Sequence, residues 1–204
     1  MALLHRATIV PTKLELVEAW APDQPWCDRG GFTQLGAYRF DDPAGEVGIE
    51  TLLVQAEGQA PRQLPLTYRG APLDGAEQWL IGTMHHSVLG ERWVYDAAGD
   101  PVGVAAFATA IRTGAQQAEL YTEAEGERVR RDPTATVQGS GGAFEPVPPP
   151  SFVRSWSDER VTVVECDGLT LTLTRVLDDM PLAGAQTLIG CWPGGSPTLL
   201  AALS

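Results

Sequence analysis

The chain has 204 residues, 44% of them hydrophobic and 20% charged, a balance that suits one globular domain, or one large and one small, with a core that needs no disulfide or metal staple. Twenty-six acids against fourteen bases give a formal net charge of −12, which argues against nucleic acid and anionic membrane surfaces as partners, because both are polyanions. Asparagine is absent, which excludes N-glycosylation, and lysine occurs once, at Lys13.

Residues 2–10 read as a first strand, stopped by Pro11. Thr12 and Glu15 have the spacing of a capping box, in which the threonine oxygen accepts the Glu15 N–H and the glutamate reaches back to the Thr12 N–H. A helix of about two turns is therefore predicted from Thr12 to Trp20, ended by the region of Pro22 and Pro25. A hairpin follows. Its strands are residues 32–41 and 46–56, and Asp42-Pro43-Ala44-Gly45 between them has the residue types of a turn. The centre of the return strand, Ile49 to Val54, is apolar on both faces past Glu50, as in a strand covered on two sides. Gln63–Arg69 and Gln78–His85 read as two further strands, joined by a turn containing Pro72, Asp74 and Gly75.

The clearest helix starts after Asp100, a capping residue, with Pro101 at its first position, and stops at Gly114. Val104, Phe107, Ala108 and Ile111 fall at helical spacing, while the other faces carry small residues and Arg112 as the only charge. A helix with so few charged or bulky surfaces is expected to be enclosed, with a curved sheet as the wrapper. Glu119–Thr122 and Glu127–Arg131 then read as strands flanking a turn, with Arg128, Arg130 and Arg131 facing neighbouring glutamates in cross-strand ion pairs. Residues 139–150 are a glycine- and proline-rich connector, either a linker or a semi-extended segment lying over the sheet. Val161–Cys166 and Leu169–Arg175, joined by Asp167-Gly168, are the strongest strand pair, with leucines on one face and threonines on the other. Residues 186–192 and 197–203 are candidates to close the sheet.

The fold class expected is α+β: a strongly curved antiparallel sheet around the 101–113 helix, extended by a β-rich C-terminal half. The domain organisation read from composition is a region 1–138, the connector 139–150 and a region 151–204 packed on the same sheet. The N-terminus lacks the basic start and apolar run of a signal peptide, no stretch is apolar enough to span a bilayer, and the three cysteines, Cys27, Cys166 and Cys191, are odd in number and widely spaced. A cytoplasmic protein with reduced thiols is expected, with no metal site and no cofactor.

Five residues are the candidates for a binding site: His85, His86, Arg92, Tyr95 and Asp96. Neighbours on a strand point to opposite faces, so the two histidines do not readily share a metal. One exposed imidazole and one hydrogen-bonded in the core is the competing reading. Arg92, Tyr95 and Asp96 form either a polar site at the edge of the sheet or a network that orders the loop before the helix. The Asp41-Asp42 and Asp178-Asp179 pairs sit in turn contexts rather than as catalytic carboxylates. Six tryptophans could line a groove for a flat ligand such as a sugar, against core packing as the alternative. Phosphate-binding loops, nucleophile elbows and zinc-protease motifs are all missing.

Several runs carry a resemblance. Pro11-Thr12-Lys13-Leu14-Glu15-Leu16, Pro25-Trp26, Arg39-Phe40-Asp41-Asp42-Pro43-Ala44-Gly45-Glu46 and Trp93-Val94-Tyr95-Asp96-Ala97 with Asp100-Pro101 resemble the N-terminal cap domain of actinobacterial maltokinases, best over residues 1–114. The whole resembles the stand-alone cap-like proteins of those bacteria, some of which are labelled glucan branching protein. The resemblance implies a cystatin-like topology and a place on the ATP-binding lobe of a sugar kinase. It implies no catalytic residue, because the phosphate-binding lysine and the metal ligands belong to the kinase lobes. The function expected is that of a non-catalytic interaction or regulatory module whose partner is a sugar kinase or another enzyme of trehalose, maltose or glycogen metabolism. The alternatives are a module that binds a sugar or nucleotide, and an enzyme using His85 or His86 with Asp96. The oligomeric state is open.

Overall fold

A computed structural model describes residues 2–4, 7–124, 127–142, 144–178 and 186–204. Its elements, in chain order, begin with β1 (Ala2–Leu4), β2 (Ile9–Val10) and α1 (Lys13–Trp20). The antiparallel set β3 (Phe32–Phe40), β4 (Gly48–Ala56), β5 (Arg62–Arg69), β6 (Leu80–His86) and β7 (Gly90–Asp96) comes next, followed by α2 (Pro101–Thr113). After it come β8 (Leu120–Ala124), β9 (Glu127–Arg131) and β10 (Thr136–Gly139). The chain closes with β11 (Phe152–Ser157), β12 (Val161–Cys166), β13 (Leu169–Thr174), β14 (Gln186–Cys191) and β15 (Thr198–Leu203).

The strands make two six-stranded antiparallel sheets, ordered β2-β6-β7-β5-β4-β3 and β10-β14-β15-β13-β12-β11, and a small sheet β1-β8-β9. The molecule is thus β-rich and strongly curled, with one main helix. The expected first strand is two short strands in different sheets, and residues 5 and 6 between them lie outside the described residues. The segment read as a loop before the main helix is β7, which inserts between β5 and β6. Its alternating pattern is masked at sequence level by Trp93 and Tyr95 on one side of the strand and Arg92 and Asp96 on the other. β10 and β11 were not anticipated. Both are short edge strands, and β11 exposes its apolar residues Phe152, Val153 and Trp156 instead of alternating them into a core.

Both helices start where their capping residues dictate, and α2 also ends at one. Thr12 and Glu15 form both arms of the capping box on α1. The Asp100 carboxylate accepts the Val102 N–H at the start of α2, and Gly114 takes the left-handed conformation at its end, with φ 67°. α2 is buried along one side between two sheets, whereas Val102, Ala106, Thr109 and Thr113 are half-buried and Arg112 is exposed. Its Val104, Phe107 and Ile111 are fully buried between Tyr38, Phe40, Ile49 and Leu53 of the first sheet and Leu171, Leu173, Leu188 and Leu200 of the second. Each such side chain contributes roughly 1.5–3 kcal/mol by leaving water. Tyr38, Phe40 and Phe107 meet edge to face, with ring centroids 5.4–6.5 Å apart.

The C-terminal strands therefore do not lengthen the first sheet; they build a second one on the far side of the helix. β15 runs between β13 and β14 rather than at a rim. The sheets meet along one seam, where Arg62 and Val176 form an isolated bridge and Gln63 N–H donates to the Arg175 carbonyl at 2.9 Å. Gln63 is fully buried there. Its carbonyl oxygen accepts from the Tyr38 hydroxyl at 2.7 Å, and its amide donates to the carbonyls of Thr174 and Leu200 at 2.9 Å each.

Two stretches of the segment expected as a connector, residues 139–142 and 144–150, bond to α2, and residue 143 lies outside the described residues. Val147 N–H donates to Thr109 Oγ1 at 2.8 Å, and Gly141 N–H donates to the Ile111 carbonyl. A Cβ on Gly139 would stand 1.9 Å from the Ala110 carbonyl oxygen, so the glycines here serve close approach to the helix end. On the opposite face of the first sheet, α1 packs Leu16 and Val17 onto Leu52, Val54, Leu64, Met84 and Val94. β4 is covered on two sides, as its sequence implies.

Candidate functional site

Two depressions flank the β3–β4 hairpin. The first, a groove of about 470 Å³, lies on the α1 side of the first sheet. Lys13 of α1, Arg39 and the hairpin residues 41–42 and 45–49, Tyr68 of β5, and Met84, His86, Leu89 and Arg92 of the β6–β7 pair line it. Beneath it lies Glu50, 7% exposed. β3–β4 pairing sets Arg39 directly opposite Glu50, and the capping box that starts α1 places Lys13 above both.

Glu50 is saturated. Its Oε1 accepts Arg39 Nε and Nη2 at 3.1 and 2.9 Å, and its Oε2 accepts the Tyr68 hydroxyl at 3.0 Å and the Lys13 ammonium. Burial by itself would raise its pKa, but Arg39 and Lys13 outweigh that and lower it to about 2. The Tyr68 phenol is pushed well above its ordinary value by burial and by the adjacent Glu50 charge. Glu50 is thus a fixed anion and Tyr68 a fixed donor at neutral pH. Neither is suited to moving protons in a reaction.

His86 and Arg92 are brought to the groove; the other three candidates are not among its lining residues. Each has a folding contact or an exposed position instead. His85 is exposed. Tyr95 is buried, and its hydroxyl accepts the Leu73 N–H at 2.9 Å. Asp96 is buried, with Oδ1 accepting the Ala98 N–H at 3.0 Å and Oδ2 held by Arg175. The pairing of a histidine with Asp96 as acid and base thus loses its aspartate to an internal ion pair. His86 Nδ1 accepts the N–H groups of Val88 and Leu89 at 3.2 and 3.1 Å, which orders the β6–β7 turn. Of the basic tract, Arg130 pairs with Glu119 at 3.3 Å and Arg131 bonds Thr122; Glu125 and the side chains of Glu123 and Glu127 lie outside the described residues, as does Asp179.

Sequence reasoning missed Lys13, Arg39, Glu50 and Tyr68 as a group. The available signal was one carboxylate in an otherwise apolar strand, which requires buried cationic partners. None of the six tryptophans lines the groove. Trp26 and Trp192 are in the core, and Trp20 packs on Trp26.

The second depression, about 510 Å³, lies between the hairpin, the Val102, Ala106 and Thr109 side of α2, and Pro146–Pro149. Its walls are hydrocarbon apart from Asp41, Asp42, Gln116 and Thr109. Asp42 is occupied by its own turn, accepting the N–H groups of Ala44, Glu46 and Val47. Among the described residues no group of histidine, cysteine and carboxylate side chains could hold a metal ion, and no helix is long and apolar enough to cross a membrane. The three thiols are free.

Residues 20–100 match the family model of the maltokinase N-terminal cap domain. The match covers less than half of the chain. It takes in β3 to β7 and hence every groove residue except those of β2 and Lys13; α2 and the second sheet lie beyond it. No curated protein matches the chain.

Proposed function

We propose that the protein is a non-catalytic, cap-like module that acts by contact with another protein. The partner class is a sugar kinase or another enzyme of trehalose, maltose or glycogen metabolism, and the setting is the cytoplasm of an actinobacterium. In this reading residues 20–100 and α2 correspond to a cap of cystatin-like topology, and the second sheet is an addition to it. The observation that carries the reading is the cap-domain match over the first sheet. The saturation of Glu50, and the commitment of Asp96 to Arg175, support the absence of acid–base chemistry. The test is direct binding of the purified chain to a purified maltokinase, by calorimetry and co-elution, with kinase turnover measured at rising concentrations of the chain. A complex of defined stoichiometry that alters turnover is expected. Neither binding nor altered turnover with maltokinases or glycogen-branching enzymes of the source organism would sink it.

A second reading is favoured by the groove itself: a small polar molecule, a sugar or a nucleotide, binds there. Its volume is within the range of small-molecule sites, roughly 300–1,000 Å³. Calorimetry with maltose, trehalose, glucosamine and ATP tests it. Tryptophan fluorescence is a poorer probe, since no indole lines the groove.

A further inference from the structure

We infer that the hollow beside α2 binds an organic amine, a hydrocarbon body carrying one cationic group. The site lies across the β3–β4 hairpin from the α1-side groove, and the inference goes beyond both readings above.

The hollow holds about 510 Å³, within the range of roughly 300–1,000 Å³ for small-molecule sites. Phe40 and Ile49 of the first sheet, Val102 and Ala106 of α2, and Pro146 and Val147 of the segment packed on the helix supply hydrocarbon walls. An open hollow with such walls keeps apolar surface in water, and an apolar body that fills it releases that water. The two neutral polar side chains on the lining already have partners. Thr109 Oγ1 accepts the Val147 N–H at 2.8 Å, and the Gln116 amide donates to Gln138 Oε1 at 3.0 Å. A ligand rich in hydroxyls would leave many of them unbonded against these walls, which counts against a sugar here.

Charge assigns the rest of the ligand. Asp41 and Asp42 stand at the hairpin end of the lining, and no lysine, arginine or histidine is on it. Asp42 accepts three N–H groups of its own turn, which fix the carboxylate in place without cancelling its charge. The cations of the surrounding elements are engaged or off the lining. Arg69, within electrostatic reach of Asp42, is committed to Asp100 through Nε at 2.7 Å and Nη2 at 2.6 Å. Arg39 holds Glu50 in the groove across the hairpin. Arg112, the only charge on α2, is exposed and does not line the hollow. Residues 144–149 carry an acid, Glu145, and no base. An ammonium group seated at the hairpin end is therefore attracted, and a carboxylate or phosphate on the same body is repelled.

Calorimetry on the full chain with phenylbutylamine, phenylbutanol and phenylbutyrate, which share one body and differ in the head, tests this at low and high NaCl. The amine is expected to bind about tenfold or more tightly than the acid, with the alcohol between them, and only the amine should weaken as salt rises. Amide shifts on titration with the amine should fall on residues 102–109 and Val147, not on Lys13 and Tyr68. Asp41→Asn is expected to weaken the amine about threefold or more and to leave the alcohol unchanged. Ala106→Phe places a ring in the hollow from a half-buried position and should abolish binding of all three probes, with the fold followed by circular dichroism. Equal affinity for the three probes, tightest binding of the acid, or no heat from any of them at millimolar concentration overturns the inference. Shifts that fall on the groove instead, or a folded Ala106→Phe variant that binds like wild type, overturn the placement and the inference with it.

Discussion

Two ionic clusters in this protein have similar chemistry and opposite surroundings. At the seam between the sheets, Arg175 is held by Asp96 and by Thr162 Oγ1 at 2.8 Å, with its guanidinium 5.0 Å above the Trp26 ring; Arg175 is 0% and Asp96 2% exposed. In the groove, Glu50 is also buried, but the side chains that neutralise it, Lys13 and Arg39, are 26% and 21% exposed. The seam cluster is closed, with protein on every side and one guanidinium nitrogen, Nη1, left without an acceptor. The groove cluster is closed below and open above. An ion pair sealed on all sides can only hold elements together. One with a solvent-facing cationic side can also present charge to something outside.

The largest effect is expected at the seam. Arg175→Ala leaves Asp96 buried and uncompensated, which costs about 3–5 kcal/mol. It also removes a joint between β13 and β7. Chemical denaturation should show the loss in full, and the double variant Arg175→Met with Asp96→Leu should recover most of it, since an apolar pair of similar volume replaces a buried ion pair at little cost. If the double variant is as unstable as Arg175→Ala, the guanidinium does more than neutralise Asp96.

Next is Glu50→Gln, which leaves Lys13 and Arg39 facing each other without a counter-charge. The Glu50 pKa is lowered from 4.5 to about 2, so the native state holds the proton less tightly than the unfolded chain. That contribution is fully present above pH 4.5 and is lost as the pH falls towards 2. At neutral pH it is about 3 kcal/mol. The stability gap between wild type and Glu50→Gln should therefore narrow on acidification over this window. A gap that stays constant would mean that packing, not charge, sets it.

Tyr68→Phe sharpens the contrast from within the groove. It removes one neutral donor from a carboxylate that keeps three charged ones, so the loss is expected to be about 1 kcal/mol. The remaining partners should hold Glu50 ionised, and the acid limb of the stability curve should keep its shape. A displaced acid limb would show the phenol to be as important as the cations.

The two clusters also differ in how far they could be read from sequence. The elements around them were legible where a local rule decides: the Thr12 and Asp100 caps, the Gly114 stop, the Asp42–Gly45 turn and the Leu169–Leu173 alternation all correspond to what forms. Glu50 was visible as an acid among apolar neighbours, but its partners sit 37 and 11 residues away, and only the sheet register joins them. Asp96 and Arg175 are 79 residues apart, on sheets whose separateness no local pattern betrays. Asp96 looked like a site residue because an acid beside a buried helix invites that reading, and it proved to be one half of the joint between the sheets. Of the groove, His86 and Arg92 are visible in the sequence by their chemistry alone. The hollow that unites them is a product of α1 docking, which periodicity in β6 and β7 cannot reveal.

That docking suggests the smallest and most selective test. Thr12→Ala removes one arm of the capping box and should cost about 1 kcal/mol, within the usual range for losing an N-cap side chain. The loss should fall unevenly. Lys13 is the first residue of α1, so a frayed start moves the ammonium away from Glu50, whereas the seam shares no residue with the helix. Thermal unfolding should shift by a few degrees. Amide exchange should quicken around residues 12–16 and at the β3–β4 pairing that holds Arg39 and Glu50, while β12 and β13 keep their protection. Equal quickening in both sheets would mean that the two clusters belong to one cooperative unit, and that the groove is no more adjustable than the seam.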